Sequence, residues 1–131
     1  MQWEWFIISA GKSGFKDLGK TIELNENKFN LVTALSGSGP AYFCYLIESL
    51  INSATKLGLK KEYASKMVLQ TAFGTSILLA KKNITPESLR KMVTSQKGTT
   101  EATINILSKD NFQNTILKAV NAASNRAKEL S

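Results

Sequence analysis

Residues 41–57 of this chain are almost continuously apolar, interrupted mainly by Glu48, Asn52, Ser53 and Lys56, and Gly58 follows at once. A run of that length closed by glycine predicts a helix buried on most sides. Over 61–82 the apolar residues Met67, Val68, Leu69, Ala72, Phe73, Ile77, Leu78 and Leu79 are followed by Lys81 and Lys82. The helix dipole favours cations at that end, so a second helix is predicted there. Thr85-Pro86-Glu87 reads as an N-cap, a proline at the first helical position and an acid in the first turn, opening a short helix over 87–93. A loop over 95–100 interrupts, a helix over 99–107 follows, and Asp110 with Gln113 has the spacing of a capping box opening a last helix over 111–130. Residues 1–32 carry little pattern: Gly11, Gly14 and Gly19 break any helix, and Leu24-Asn25-Glu26-Asn27 reads as a polar connector. The expected class is all-α, an irregular N-terminal extension over 1–32 followed by a helical domain over 33–131. Its first long helix is too apolar around its circumference for a small monomer to cover, so burial against a second copy is expected.

Composition narrows the chemistry. A chain of 131 residues that is 43% hydrophobic has the material for a core and a single domain. The sequence contains no histidine, which removes Ser-His-Asp and Cys-His mechanisms, histidine general bases and most zinc sites. No metal is expected. The single cysteine, Cys44, stands among Tyr42, Phe43, Tyr45 and Leu46 and reads as core packing, so disulfides play no part. The net charge of +7 comes from lysines spread along several helices, without a basic run interleaved with aromatics. That distribution fits a solvated surface able to steer an anionic ligand inward better than it fits nucleic-acid binding. The stretch 1–10 is apolar in character but includes Glu4, lacks a basic start and is too short to span a bilayer, so a cytoplasmic protein without a membrane segment is expected.

Three short motifs bear on function. Gly14-Phe15-Lys16-Asp17-Leu18-Gly19-Lys20-Thr21 matches the phosphate-loop pattern G-x-x-x-x-G-K-[ST] letter for letter. A working loop of this kind follows a strand, opens a helix and belongs to a parallel sheet with an acid for magnesium. Residues 21–25 make a poor helix and the rest of the chain supplies helices only, so coincidence is the better reading and a nucleotide binder through Gly14 to Thr21 the alternative. Gly37-Ser38-Gly39-Pro40-Ala41-Tyr42 resembles the dinucleotide fingerprint, but Tyr42 stands where the third glycine belongs and no βαβ unit surrounds it. Alone it reads as a tight turn and helix start. The third is Thr94-Ser95-Gln96-Lys97-Gly98-Thr99-Thr100, where hydroxyls and glycine precede a helix. Free N–H groups at a helix start suit a carboxylate or phosphate, and the segments around Gly37 and Ser95 are read as two walls of one pocket. Ordinary N-capping by Ser95 and Thr100, worth about 1 kcal/mol each, is the plainer account of the same residues.

A resemblance decides between those accounts. Thr33-Ala34-Leu35-Ser36-Gly37-Ser38-Gly39-Pro40-Ala41-Tyr42, Leu57-Gly58-Leu59, Leu89-Arg90, Val93-Thr94-Ser95, Gly98-Thr99-Thr100, Ala119-Val120 and Arg126-Ala127-Lys128-Glu129-Leu130 occur in this order. Over 19–131 the chain resembles the C-terminal half of pyrroline-5-carboxylate reductase, an oxidoreductase of proline biosynthesis. The resemblance implies a helical dimerisation domain, similar to the C-terminal domain of 6-phosphogluconate dehydrogenase, that completes a substrate pocket. In the family a separate N-terminal Rossmann domain holds NADPH or NADH, and a hydride passes to the carbon of a cyclic imine whose nitrogen is protonated.

Residue by residue, the resemblance assigns the substrate carboxylate to Ser95 and Thr100, with N–H groups around Gly98, Thr99 and Thr100. Hydroxyls and amides can hold that group without adding a competing acid or base. Thr33 corresponds to the family threonine near the imine nitrogen, a proton donor or orienting group, and Ser36, Gly37, Ser38 and Gly39 form the pocket wall. The chain departs from the family in having Gln96-Lys97-Gly98 where Pro-Gly-Gly usually follows the serine. Lys97 either strengthens carboxylate binding or points to solvent. No cofactor is expected to bind this chain alone, because the nucleotide domain is absent from it, and hydride transfer needs that domain. The expectation is a homodimer, inactive by itself, binding pyrroline-5-carboxylate or proline. A non-catalytic dimerisation module is the alternative.

Overall fold

The computed structural model describes residues 7, 8, 21, 22 and 24–130. Its elements, in order, are the short strands β1 (Ile7–Ile8) and β2 (Thr21–Ile22), a 3-10 turn (Glu26–Lys28) and α1 (Phe29–Val32). A π-helical turn (Thr33–Gly37) follows, then α2 (Gly39–Lys56), α3 (Lys61–Lys82), α4 (Pro86–Met92), α5 (Thr99–Lys109) and α6 (Phe112–Leu130). The chain divides into two compact units, Met1–Pro40 with Thr115–Ser131, and Ala41–Asn114.

In the first unit the two strands pair in parallel, Ile7 opposite Thr21 and Ile8 opposite Ile22. Thr21, the last residue of the phosphate-loop match, therefore lies in a strand where a working loop needs the start of a helix. The other seven residues of that match lie outside the described residues. The helix start read at 37–42 is present, with α2 opening at Gly39, but Gly37 ends a π-helical turn over Thr33–Gly37 where a tight turn was expected. Val32 and Thr33 have right-handed dihedrals, and Ser38 N–H donates to Thr33 O at 3.0 Å, a five-residue step that widens the helix for one turn. Such π turns inside helical runs are often found at functional sites. Ala34, within this turn, is buried.

The second unit follows the sequence pattern closely. α2 ends as Gly58 requires: its φ is 100°, Gly58 N–H donates to Thr55 O at 3.0 Å, and Leu59 N–H donates to Ala54 O at 3.0 Å. These paired bonds make a Schellman motif, which needs a left-handed residue and so favours glycine. α4 opens on the expected cap, with Thr85 Oγ1 accepting the Ser88 N–H at 3.1 Å and Pro86 in the first turn. The capping box read at Asp110 and Gln113 gives way to a tighter junction. Asp110 closes α5, Asn111 takes φ 56° in the left-handed region, and α6 opens at Phe112. Asparagine tolerates that conformation, so helix end and helix start share two residues.

Packing within one chain is thin. Among the described residues only Ala34, Ala64 and Leu89 are buried hydrophobics, whereas Phe43 is 69% exposed, Tyr45 73%, Met67 61% and Phe73 62%. Cys44, read as core packing, is exposed. The apolar content lies on helix faces that this single chain leaves uncovered. Three ion pairs, Lys66–Glu62, Lys91–Glu87 and Arg126–Glu129, lie at the surface, where each contributes a few tenths of a kcal/mol, on the order of 0.3–0.5. No described helix is long and apolar enough to cross a membrane.

Candidate functional site

The site is built on the junction between α4 and α5. Gly98 N–H donates to Ser95 O at 3.0 Å, closing a four-residue turn over 95–98. Its third residue, Lys97, has φ 58°. That is the position where a turn of this kind calls for glycine, with proline favoured one place earlier. Gln96-Lys97-Gly98 closes this turn at the cost of placing a lysine in a left-handed conformation. Gly98 is the N-cap of α5 and provides no side-chain cap. A Cβ on Gly98 would collide with Ser95 Oγ and lie 3.0 Å from Ser95 O. Glycine here is what lets the serine hydroxyl sit against the helix start.

The polar groups of this junction fall into two sets. Thr94 Oγ1 donates to Arg90 O at 2.6 Å and Thr103 Oγ1 to Thr99 O at 3.0 Å, so both hydroxyl protons are engaged with backbone carbonyls. The hydroxyls of Ser95, Thr99 and Thr100 make no hydrogen bond to a described residue, and neither do the N–H groups of Thr99, Thr100 and Glu101. These are orphan donors of a helix N-terminus, where partial positive charge gathers. Ser95 and Thr99 are exposed, and Gly98 and Thr100 half-buried. Ordinary capping therefore does not account for Ser95, whose hydroxyl caps nothing.

Two residues here escaped the sequence reading. Glu101, at the third helical position, reaches back so that its Oε2 accepts the Lys97 N–H at 2.7 Å. An acid three places after the cap was the available signal, but with glycine rather than serine at the cap the capping-box pattern did not appear. The other is Arg90. It lines, with Thr100, Gln70 and Thr71, a groove of about 550 Å³ between α3, α4 and α5 whose remaining walls are largely apolar. Arg90 is the one cation among its described lining residues, and Ser95 is not among them.

Thr33 and its neighbours belong to the first unit. Thr33 is exposed, its carbonyl holds Ser38 N–H, and its hydroxyl makes no hydrogen bond to a described residue. Ser36 Oγ donates to Val32 O at 3.1 Å, so its hydroxyl proton is engaged within the helix. Gly39 is buried, Ser38 half-buried and Gly37 exposed. Gly37, Ser38 and Gly39 pass from a π turn into a helix, not from a strand into one, so the described residues form no dinucleotide cradle.

The comparisons with known proteins agree on one family. Residues 26–130 match the family described as pyrroline-5-carboxylate reductase dimerisation. The chain belongs to the pyrroline-5-carboxylate reductase family. It is 43% identical over 106 residues to the pyrroline-5-carboxylate reductase of Pseudomonas aeruginosa, covering 81% of this chain and 39% of that protein. The reductase of Synechocystis is 38% identical over 123 residues, covering 94% of this chain and 46% of that protein. Among solved structures, the Coxiella burnetii pyrroline-5-carboxylate reductase superposes with a TM-score of 0.83 at 41% identity, over 87% of this chain and 43% of that one. The Plasmodium falciparum pyrroline carboxylate reductase, solved with NADP bound, superposes with a TM-score of 0.81 at 35% identity, over 88% of this chain and 44% of that one. The chain thus spans less than half the length of these relatives, and the part it matches is the helical dimerisation domain of the pyrroline-5-carboxylate reductases.

Proposed function

We propose that this chain supplies the substrate-carboxylate seat and the second-copy contact of a reductase that converts 1-pyrroline-5-carboxylate to proline with NAD(P)H. The observation that carries the reading is the cluster of uncommitted donors at the start of α5. The hydroxyls of Ser95 and Thr100 and the N–H groups of Thr99 and Thr100 stand without a described partner, at a helix end that favours an anion. Charge-assisted hydrogen bonds from neutral donors would hold the carboxylate while leaving the imine's own protonation undisturbed. Gly98 belongs to the seat by clearance, since its own N–H is engaged with Ser95 O.

In this reading Thr33 protonates or orients the imine nitrogen, and Ser36, Gly37, Ser38 and Gly39 line the pocket. Its support is the family match over 26–130 together with an exposed Thr33 hydroxyl that has no described partner. No reaction step is assigned to these residues through the dinucleotide. The exposed aromatic residues of α2 and α3 are covered by a second copy, and the protein works in the cytoplasm.

The test is a proline titration followed by backbone NMR. Proline should shift the Ser95, Thr99 and Thr100 amides at millimolar concentration, and the double variant Ser95→Ala/Thr100→Ala should lose the effect. Unshifted amides in the wild-type chain would leave only a dimerisation module. NADPH-dependent reduction of the imine should be absent with the chain alone and return when the nucleotide domain of a relative is added.

A further inference from the structure

The carboxylate of Glu101 faces the junction that is proposed to receive a substrate carboxylate, and a bare negative charge there would oppose the ligand. Its Oε2, however, is held at 2.7 Å from the Lys97 nitrogen and accepts that N–H. Lys97 is the residue with φ 58° at the third position of the 95–98 turn. A lysine gains nothing from that conformation, and a left-handed residue without glycine's freedom needs an external hold. Glu101 is half-buried and Lys97 exposed, so the bond ties the outer edge of the turn to the first turn of α5. Close by, a Cβ on Gly98 would meet Ser95 Oγ, so the serine hydroxyl sits in space that the turn geometry itself keeps open.

We propose that Glu101 is a positioning residue for carboxylate binding, acting through the Lys97 N–H to fix the turn that presents Ser95. The role rests on the carboxylate reading given above. Glu101 touches no substrate in this scheme. It supplies a rigidity that the turn's own residues lack, since Gln96 does not preset its backbone as a proline would and Lys97 does not accept the left-handed conformation as freely as a glycine would.

The sign of the effect separates this role from simple charge repulsion. Glu101→Gln removes the charge but keeps an oxygen that can accept the Lys97 N–H. Glu101→Ala removes both. Proline is titrated into the full chain and the two variants, with the Ser95, Thr99 and Thr100 amides as reporters, and hydrogen exchange at the Lys97 amide is measured without ligand. Glu101→Ala should bind roughly tenfold more weakly and exchange Lys97 roughly tenfold faster, the size expected for one lost charge-assisted hydrogen bond. Glu101→Gln should bind at least as tightly as wild type.

Tighter binding by both variants would make Glu101 a repelling charge and overturn the proposal. So would a Glu101→Ala protein with wild-type affinity and wild-type Lys97 exchange. If Glu101→Ala does not fold, Glu101→Asp takes its place: it keeps the charge at the helix start, is one methylene too short to reach Lys97, and should weaken binding in the same way. Proline that leaves the wild-type amides unshifted overturns the carboxylate reading and this role with it. That failure is told apart from the others because the exchange difference at Lys97 would persist.

Discussion

A side chain on residue 98 would overlap the hydroxyl of Ser95: a Cβ built there collides with Ser95 Oγ and lies 3.0 Å from the Ser95 carbonyl oxygen. The serine hydroxyl, exposed and bonded to no described residue, can rotate aside, but the carbonyl accepts the Gly98 N–H and is held by the turn. Gly98→Ala should therefore displace the Ser95 hydroxyl and shift the turn backbone, destabilise the chain by about 1 kcal/mol, the low end of the cost of inserting a methyl group, and weaken the proline-induced shifts. Chemical denaturation with the titration checks both.

Lys97 presents the opposite case. At φ 58° a lysine is strained where glycine is not, so Lys97→Gly should stabilise the folded chain by up to about 1 kcal/mol, the left-handed penalty less glycine's entropic cost. The denaturation midpoint should rise while proline binding changes little. A fall in the midpoint would mean that the lysine side chain contributes contacts that outweigh the strain.

Thr85 tests whether α4 needs its cap. Its Oγ1 accepts the Ser88 N–H at 3.1 Å, and Thr85→Ala should cost about 1 kcal/mol. Thr85→Ser should recover most of that. Because Leu89, a buried residue, sits on the same short helix, the loss should be seen in global denaturation and not only in local fraying.

The uncovered aromatic residues predict the oligomeric state. Phe43 and Tyr45 are 69% and 73% exposed on α2, an apolar display that a second copy should bury. Sedimentation of the wild-type chain at micromolar concentration should give a dimer, and Phe43→Asp should shift it toward monomer. A stable wild-type monomer would contradict the reading.

Much of the helical layout is legible in the residues. Gly58 announces the Schellman stop of α2, and Thr85-Pro86 announces the start of α4, because both motifs are local chemistry between residues a few places apart. Where two motifs competed for the same residues, local reading failed. Asp110 has the composition of an N-cap, yet it closes α5, since Asn111 takes the left-handed conformation and joins the two helices without a loop. Gly37 and Ser38 read as a tight turn from their small residues, but helical dihedrals run up to them and glycine is tolerated at the end of the π turn.

The candidate site divides in the same way. Ser95, Gly98 and Thr100 could be picked out as residues because hydroxyls and glycine before a helix carry a general meaning for anions. The strained Lys97, the brace from Glu101 and the place of Arg90 in a groove with Thr100 could not, since each depends on dihedral angles or on helices brought together in space. Cys44 marks the limit most plainly: its neighbours are those of a core residue, and in the folded chain it is exposed. The sequence by itself determined the family, the helices and the ends at Gly58 and Thr85, because periodicity and capping act over one or two turns. Only the tertiary structure decided which apolar faces one chain leaves uncovered and which donors at the start of α5 stay free, because burial and hydrogen-bond satisfaction depend on all the groups that meet in space.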